Sequence, residues 1–193
     1  MRSLNKNVFF GGQVFLVCED VYEPAEDTFL AAENLHVKED DVVLDVGTGC
    51  GILGILAAKK ARKVVAVDIN PHAVRCAQKN AKLNRVAEKM NIRLGNLFTP
   101  MKDGEKFSLI IFNAPYLPSE PEEHETWLGK AWAGGSAGRQ TINRFISQVT
   151  NYLGEDGQAV LVQSSLSSVE ETLRRLEKER LHASILAEKK VWF

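Results

Sequence analysis

Three glycines at every second position, Gly47, Gly49 and Gly51, follow directly on an aliphatic run, Val42 to Val46, that carries an acid at Asp45. Glycine admits backbone dihedrals closed to other residues and lets a ligand approach the main chain. In open α/β folds a loop of this kind, between a strand and a helix, is where ligands bind. The dinucleotide fingerprint G-x-G-x-x-G is not met, because counted from Gly47 its last position falls on Ile52. Asp45 is placed to attract an ammonium group, directly or through water. Asp68, twenty-one residues after Gly47 at the end of the run VVAVD, can accept hydrogen bonds from both hydroxyls of a ribose. A ribose with an ammonium and no pyrophosphate fits S-adenosylmethionine. The plain alternative is a structural strand–turn–helix with a capping acid.

Such a loop works only if strands and helices hold it. Asp41 to Val46 reads as a buried strand, Cys50 to Ala61 as a helix and Lys63 to Asp68 as a second strand. Asn70 is a natural N-cap with Pro71 at the first helical position, opening a helix that runs to about Leu83. Asn91 to Leu94 is a short third strand. Phe107 to Phe112 is a fourth, so apolar that both faces are expected to be covered. Residues 139–153 and 167–180 have helical spacing, with a fifth strand at Gln158 to Gln163 and a sixth at Ala183 to Ala187. This alternation predicts an α/β fold, a doubly wound, mostly parallel sheet. Before it, an extended apolar stretch (Val8 to Val17) and a helix from about Pro24 to Asn34 are expected to cover the sheet's ligand edge within the same domain. That divides the chain into a cover, residues 1–40, and a catalytic part, residues 41–193.

Composition narrows the classes. The 193 residues suit one domain, and 45% apolar with 25% charged residues argues against disorder. With 24 basic and 25 acidic residues the net charge is −1, so no global basic field draws in nucleic acid or membrane. The uncharged runs are too short to span a bilayer, and Met1 to Phe10 lacks the apolar core of a signal peptide. Cys18, Cys50 and Cys76 form neither an even framework nor a Cys-x-x-Cys pair, which predicts a reducing, cytoplasmic setting. His36, His72, His124 and His182 lack ligand spacing, so no metal site is expected.

The stretch Val42 to Gly54 resembles motif I of class I S-adenosylmethionine-dependent methyltransferases, which have a Rossmann-like fold. The resemblance implies Asp68 as the ribose acid and Asp45, Gly47 and Gly49 around the cofactor. The family often has an acid after the third strand, near the adenine amino group. Here that residue is Asn96, which can still accept a hydrogen bond, and the Leu97 backbone would border the base. The fourth strand runs into Asn113-Ala114-Pro115-Tyr116, which resembles the Asn-Pro-Pro-Tyr element of methyltransferases acting on planar nitrogens. A planar –NH2 is a poor nucleophile and a very weak acid. Two acceptors, the Asn113 side-chain oxygen and the Ala114 carbonyl, would hold its N–H bonds and aim it at the methyl group. Tyr116 would pack on its flat face. Ala114 in place of the commoner proline keeps the carbonyl on a looser loop.

Two further segments, Val21 to Leu30 and Ala131 to Phe145, resemble the archaeal and eukaryotic branch of the HemK-like protein methyltransferases. That branch methylates the glutamine of the Gly-Gly-Gln motif of class I release factors, in translation termination. The resemblance implies Thr28, flanked by Glu26 and Asp27, at the methionine end of the cofactor, and Asn113 bordering both cofactor and substrate. It places Gly134, Gly135 and Gly138 in a loop close to the substrate pocket. The bacterial branch has an added N-terminal domain, for which residues 1–40 leave no room. The short branch works as a heterodimer with a small zinc-ribbon activator, here expected along Asn91 to Leu94. Alternative acceptors are adenine or guanine amines of nucleic acid, with Arg139 and Arg144 as local bases, or protein lysine. A non-catalytic scaffold and a nicotinamide oxidoreductase are weaker readings.

Two features stand apart. Gly11-Gly12-Gln13 spells that substrate tripeptide and is read as coincidence, with self-methylation of Gln13 as the less favoured idea. The family's antiparallel seventh strand would begin at Val191-Trp192-Phe193, so either the chain is truncated there or its edge is incomplete and sticky.

Overall fold

The structure is a computed structural model that describes residues 6–191. Trp192 and Phe193 lie outside the described residues, as do Met1 to Asn5. Five parallel strands form the central sheet: β3 (Val42–Val46), β4 (Lys63–Asp68), β5 (Met90–Leu94), β6 (Phe107–Asn113) and β7 (Leu153–Val162). Their order is β5-β4-β3-β6-β7. The chain therefore winds outward from β3 in one direction and from β6 in the other. The crevice between β3 and β6 is the switch point of such a sheet, and their register sets Val46 beside Phe112.

β6 has both faces covered, as its composition predicts. Leu109 and Ile111 point into one core with Val43, Ile55 and Val64. Ile110 and Phe112 point into the other, against Phe145, Ile146 and Phe98. The helices follow their signals. In α3 (Pro71–Leu83) the Asn70 side chain accepts from the His72 N–H at 2.8 Å. In α5 (Gln140–Val149) the buried Ile142, Phe145, Ile146 and Val149 form one helical stripe. α2 (Ile52–Ala58) and α6 (Val169–Lys178) complete the layers.

Two expectations change. The helix over 139–153 stops at Val149 and the fifth strand begins early, because Leu153 pairs with Phe107 and the register then shifts to Gln158 opposite Leu109. Ala183 to Ala187 forms no strand. A short apolar segment becomes a strand only by pairing, and among the described residues this one pairs with no strand. Ile185 and Leu186 are left 54% and 61% exposed.

Residues 6–17 form a hairpin, β1 (Lys6–Phe10) with β2 (Gln13–Val17). Gly11 and Gly12 supply its two-residue turn, with φ of +56° and +72°. A turn of that hand explains the two glycines of Gly11-Gly12-Gln13 without reference to substrate. Buried asparagines clamp the hairpin to α3. Asn80 accepts from the Leu16 N–H at 2.8 Å and donates to the carbonyls of Leu16 and Cys50, each at 2.8 Å. Asn84 donates to the Val14 carbonyl at 2.9 Å. Beyond the hairpin, α1 (Glu26–Glu33) lies against β6, β7 and α2. No helix among the described residues is long and apolar enough to cross a membrane.

Candidate functional site

A cavity of about 590 Å³ opens at the carboxyl ends of β3, β4, β5 and β6. Thr28, Asp45, Gly47, Gly49, Asp68, Asn96, Leu97 and Asn113 to Tyr116 all line it. The switch point explains the convergence, because the loops after β3 and β6 leave adjacent strands. Gly49 has φ +57° and nothing within 4 Å of where a Cβ would stand, so its backbone faces open space.

The acids are held rather than loose. Asp68 accepts from the Gly49 N–H at 2.8 Å on one oxygen and from the Asn70 N–H at 2.9 Å on the other. Burial raises its pKa. Asp45 is 1% exposed, and one of its oxygens accepts from the Thr48 hydroxyl at 2.5 Å and the Gly54 N–H at 2.9 Å. Burial outweighs those bonds and pushes Asp45 up to about 7.

The tetrad is organised by α1. Both N–H bonds of the Asn113 amide are engaged, to Asp27 Oδ2 at 3.1 Å and to Thr28 Oγ1 at 3.1 Å. The Tyr116 hydroxyl donates to the same Asp27 oxygen at 2.8 Å. Burial and the Asp27 charge push the Tyr116 phenol far above its ordinary range. Asn113 Oδ1 is buried and has no hydrogen-bond partner. Leaving an acceptor unpaired costs roughly 1–3 kcal/mol. Here that acceptor belongs to the residue whose side-chain nitrogen is fully committed. Asp27 thus joins the tetrad, although in the sequence it stands out only as a neighbour of Thr28. Its local signal was an acid in the first turn of a helix, which many surface helices share.

Trp127, Lys130, Trp132 and Arg144 also line the cavity, and no motif in the sequence points to them as cavity residues. Lys130 Nζ lies 4.4 Å from the centre of the Trp127 ring. Gly134, Gly135 and Gly138 do not line the cavity. They stand behind the tetrad, where Gly134 N–H donates to the Leu117 carbonyl at 2.8 Å and Ser119 N–H to the Gly135 carbonyl at 3.0 Å. Arg139 is buried, donating to the carbonyls of Ser167 and Ser168 and to Asn143 and Thr172. Those bonds tie the start of α5 to that of α6 and leave Arg144 as the exposed base of the pair.

Known proteins agree with this architecture. The profile of the ribosomal protein L11 methyltransferase (PrmA) family matches residues 27–114. The solved ribosomal protein L11 methylase of Lactobacillus delbrueckii subsp. bulgaricus superposes with a TM-score of 0.60 at 27% identity, over 81% of this chain and 70% of that one. The release factor glutamine methyltransferase of Aquifex aeolicus is 32% identical over 76% of this chain and 56% of its own. A Methanocaldococcus jannaschii protein described as a protein N5-glutamine methyltransferase is 43% identical over 90% of this chain and 87% of its own length. On that extent of identity, the chain belongs to the HemK-like family of protein N5-glutamine methyltransferases.

Proposed function

We propose that this protein transfers a methyl group from S-adenosylmethionine to the side-chain amide nitrogen of a protein glutamine, the Gly-Gly-Gln glutamine of a class I release factor. The observation that carries the reading is the unpartnered Asn113 Oδ1, a buried acceptor that an amide N–H would satisfy. The family of the chain supports the same acceptor.

The residues around the cavity fit the cofactor. Asp68 would take the ribose hydroxyls. Asn96 and Leu97 would border the base, with Gly47 and Gly49 giving the backbone approach. Asp45 and Thr28 would lie toward the amino-acid end. When bound, the cofactor supplies a methyl group made electrophilic by its sulfonium. Asn113 Oδ1 accepts one N–H of the substrate amide and the Ala114 carbonyl accepts the other, so the amide nitrogen is aimed in line. No base removes a proton first, because a neutral amide is too weak an acid. Once methylated, the amide nitrogen would be acidic and would release its proton to water. The two acceptors stabilise the charge that grows on those N–H bonds. Asp27 and Thr28 keep Asn113 from turning its nitrogen toward the substrate. Tyr116, held by Asp27, packs against the flat amide.

Residues 1–40 act as a cover on the catalytic part, residues 41–193, and the setting is the cytoplasm, where release factors work. A small zinc-ribbon activator pairs along β5 as a heterodimer. β5 is an outer strand with Leu94 57% exposed, which supports that position. The test is transfer from labelled S-adenosylmethionine to a cognate release factor, with and without the activator. Label on the glutamine, lost in Asn113→Ala, is the expected result. Cofactor binding with no label on the release factor would redirect the search to nucleic-acid or lysine amines.

A further inference from the structure

The three cysteines stand far apart in sequence, yet the fold gathers them behind the glycine loop. Cys18 follows β2, Cys76 lies in α3 and Cys50 sits in the loop itself. All three are free thiols. The backbone N–H of Cys18 donates to Cys76 Sγ at 3.3 Å, and the Cys76 thiol donates to the Leu16 carbonyl at 3.2 Å. Cys18 is partly exposed, and Cys76 is fully buried beside it. A partly exposed cysteine whose backbone N–H meets a buried thiol at 3.3 Å gives a first oxidation a resolving thiol close at hand.

We propose that Cys18 and Cys76 are a thiol pair that a hydroperoxide converts to an intramolecular disulfide, independently of methyl transfer. The Cys18 sulfur attacks one peroxide oxygen and the O–O bond breaks. Water, or an alcohol, leaves, and Cys18 becomes a sulfenic acid. The Cys76 sulfur then attacks the Cys18 sulfur, the S–O bond breaks, and hydroxide leaves as water with the Cys76 proton. Two thiols lose two electrons and one peroxide gains them.

The order of events follows from the surroundings. Burial, first of all, holds the Cys76 thiol protonated well above the usual range, so the first step falls to the accessible Cys18. Cys50 is pushed up to about 12, also by burial, and stays a thiol. The bridge would lie where Asn80 already joins Leu16 to the Cys50 carbonyl. It would lock the hairpin to α3 and stiffen the wall behind the glycine loop.

The test is treatment of the purified protein with a small excess of hydrogen peroxide, followed by non-reducing peptide mapping. The expected product lacks two hydrogens, carries a Cys18–Cys76 linked peptide and returns to the starting mass with a thiol reductant. Its Tm rises by roughly 5–10 °C, the scale of one disulfide in a chain of this size. Cys50→Ser should keep both effects. Cys18→Ser and Cys76→Ser should lose them. A product that stops at Cys18 sulfenic or sulfinic acid, links through Cys50, or joins two chains would overturn the proposal. The mapping on unsubstituted protein decides this even if Cys76→Ser folds poorly.

Discussion

Asp27 and Asn113, 86 residues apart in sequence, meet through a hydrogen bond of 3.1 Å from the Asn113 amide to the Asp27 carboxylate. With the bond to Thr28, it fixes the amide's orientation, its nitrogen committed and its oxygen left without a partner. An asparagine free to rotate would offer a donor as readily as an acceptor, and a donor repels an incoming N–H. Asp27 would therefore act as a positioning residue, through Asn113 and Tyr116.

Asp27→Ala should lower kcat for methyl transfer by about 10- to 100-fold, the scale of misplacing one group in an aligned site. KM for the protein substrate should change much less. Isothermal titration with S-adenosylhomocysteine should still show binding. A variant that transfers methyl normally would remove the positioning role.

Tyr116→Phe takes away one of the two bonds on the Asp27 oxygen but keeps the ring. A loss of about 3- to 10-fold in rate is expected, consistent with one hydrogen bond of roughly 1 kcal/mol. Burial and Asp27 hold the phenol protonated far above its ordinary range. The wild-type pH–rate profile should therefore show no alkaline limb that disappears in Tyr116→Phe.

Asp45 couples pH to both stability and binding. Burial raises it from 3.8 to about 7, so the folded state prefers it protonated. Its contribution to stability is full below about pH 4 and is lost as pH rises through 7. Asp45→Asn should therefore raise Tm relative to wild type at pH 8 and much less at pH 5. The ammonium of the ligand needs the ionised form, so wild-type affinity for S-adenosylhomocysteine should weaken as pH falls from 8 to 6. A flat affinity profile would separate Asp45 from the ammonium.

Gly138 supports the tetrad from behind. Its φ is +65°, and an added Cβ would overlap the Tyr116 carbonyl oxygen. Gly138→Ala should cost roughly 2–5 kcal/mol, combining left-handed strain with overpacking. Thermal unfolding measures that cost. Methyl transfer should fall more than cofactor binding, because Tyr116 and Leu117 would be displaced first.

Leu94→Asp tests the β5 edge. The side chain is exposed, so the variant should fold with an unchanged Tm. Co-purification with a zinc-ribbon activator should be lost. Retention of the complex would move the interface elsewhere.

Much of this protein follows from local rules. The glycines after β3, the Asn70–Pro71 cap and the stripe on α5 each express a preference that acts within a few residues. They mark the sheet, the glycine loop and the tetrad in the sequence, because strand ends and helix starts carry their own chemistry. Other features depend on which segments meet. No spacing in the sequence links Asp27 to Asn113, Asn80 to Leu16 or Cys18 to Cys76. Those pairings arise when the hairpin and α1 close over α3 and the end of β6. The same reason undid the strand expected at Ala183 to Ala187, whose formation required an edge partner that its own residues do not provide. Local preference sets what a segment can become, and tertiary packing decides which polar atoms are satisfied and which, like Asn113 Oδ1, are left without a partner.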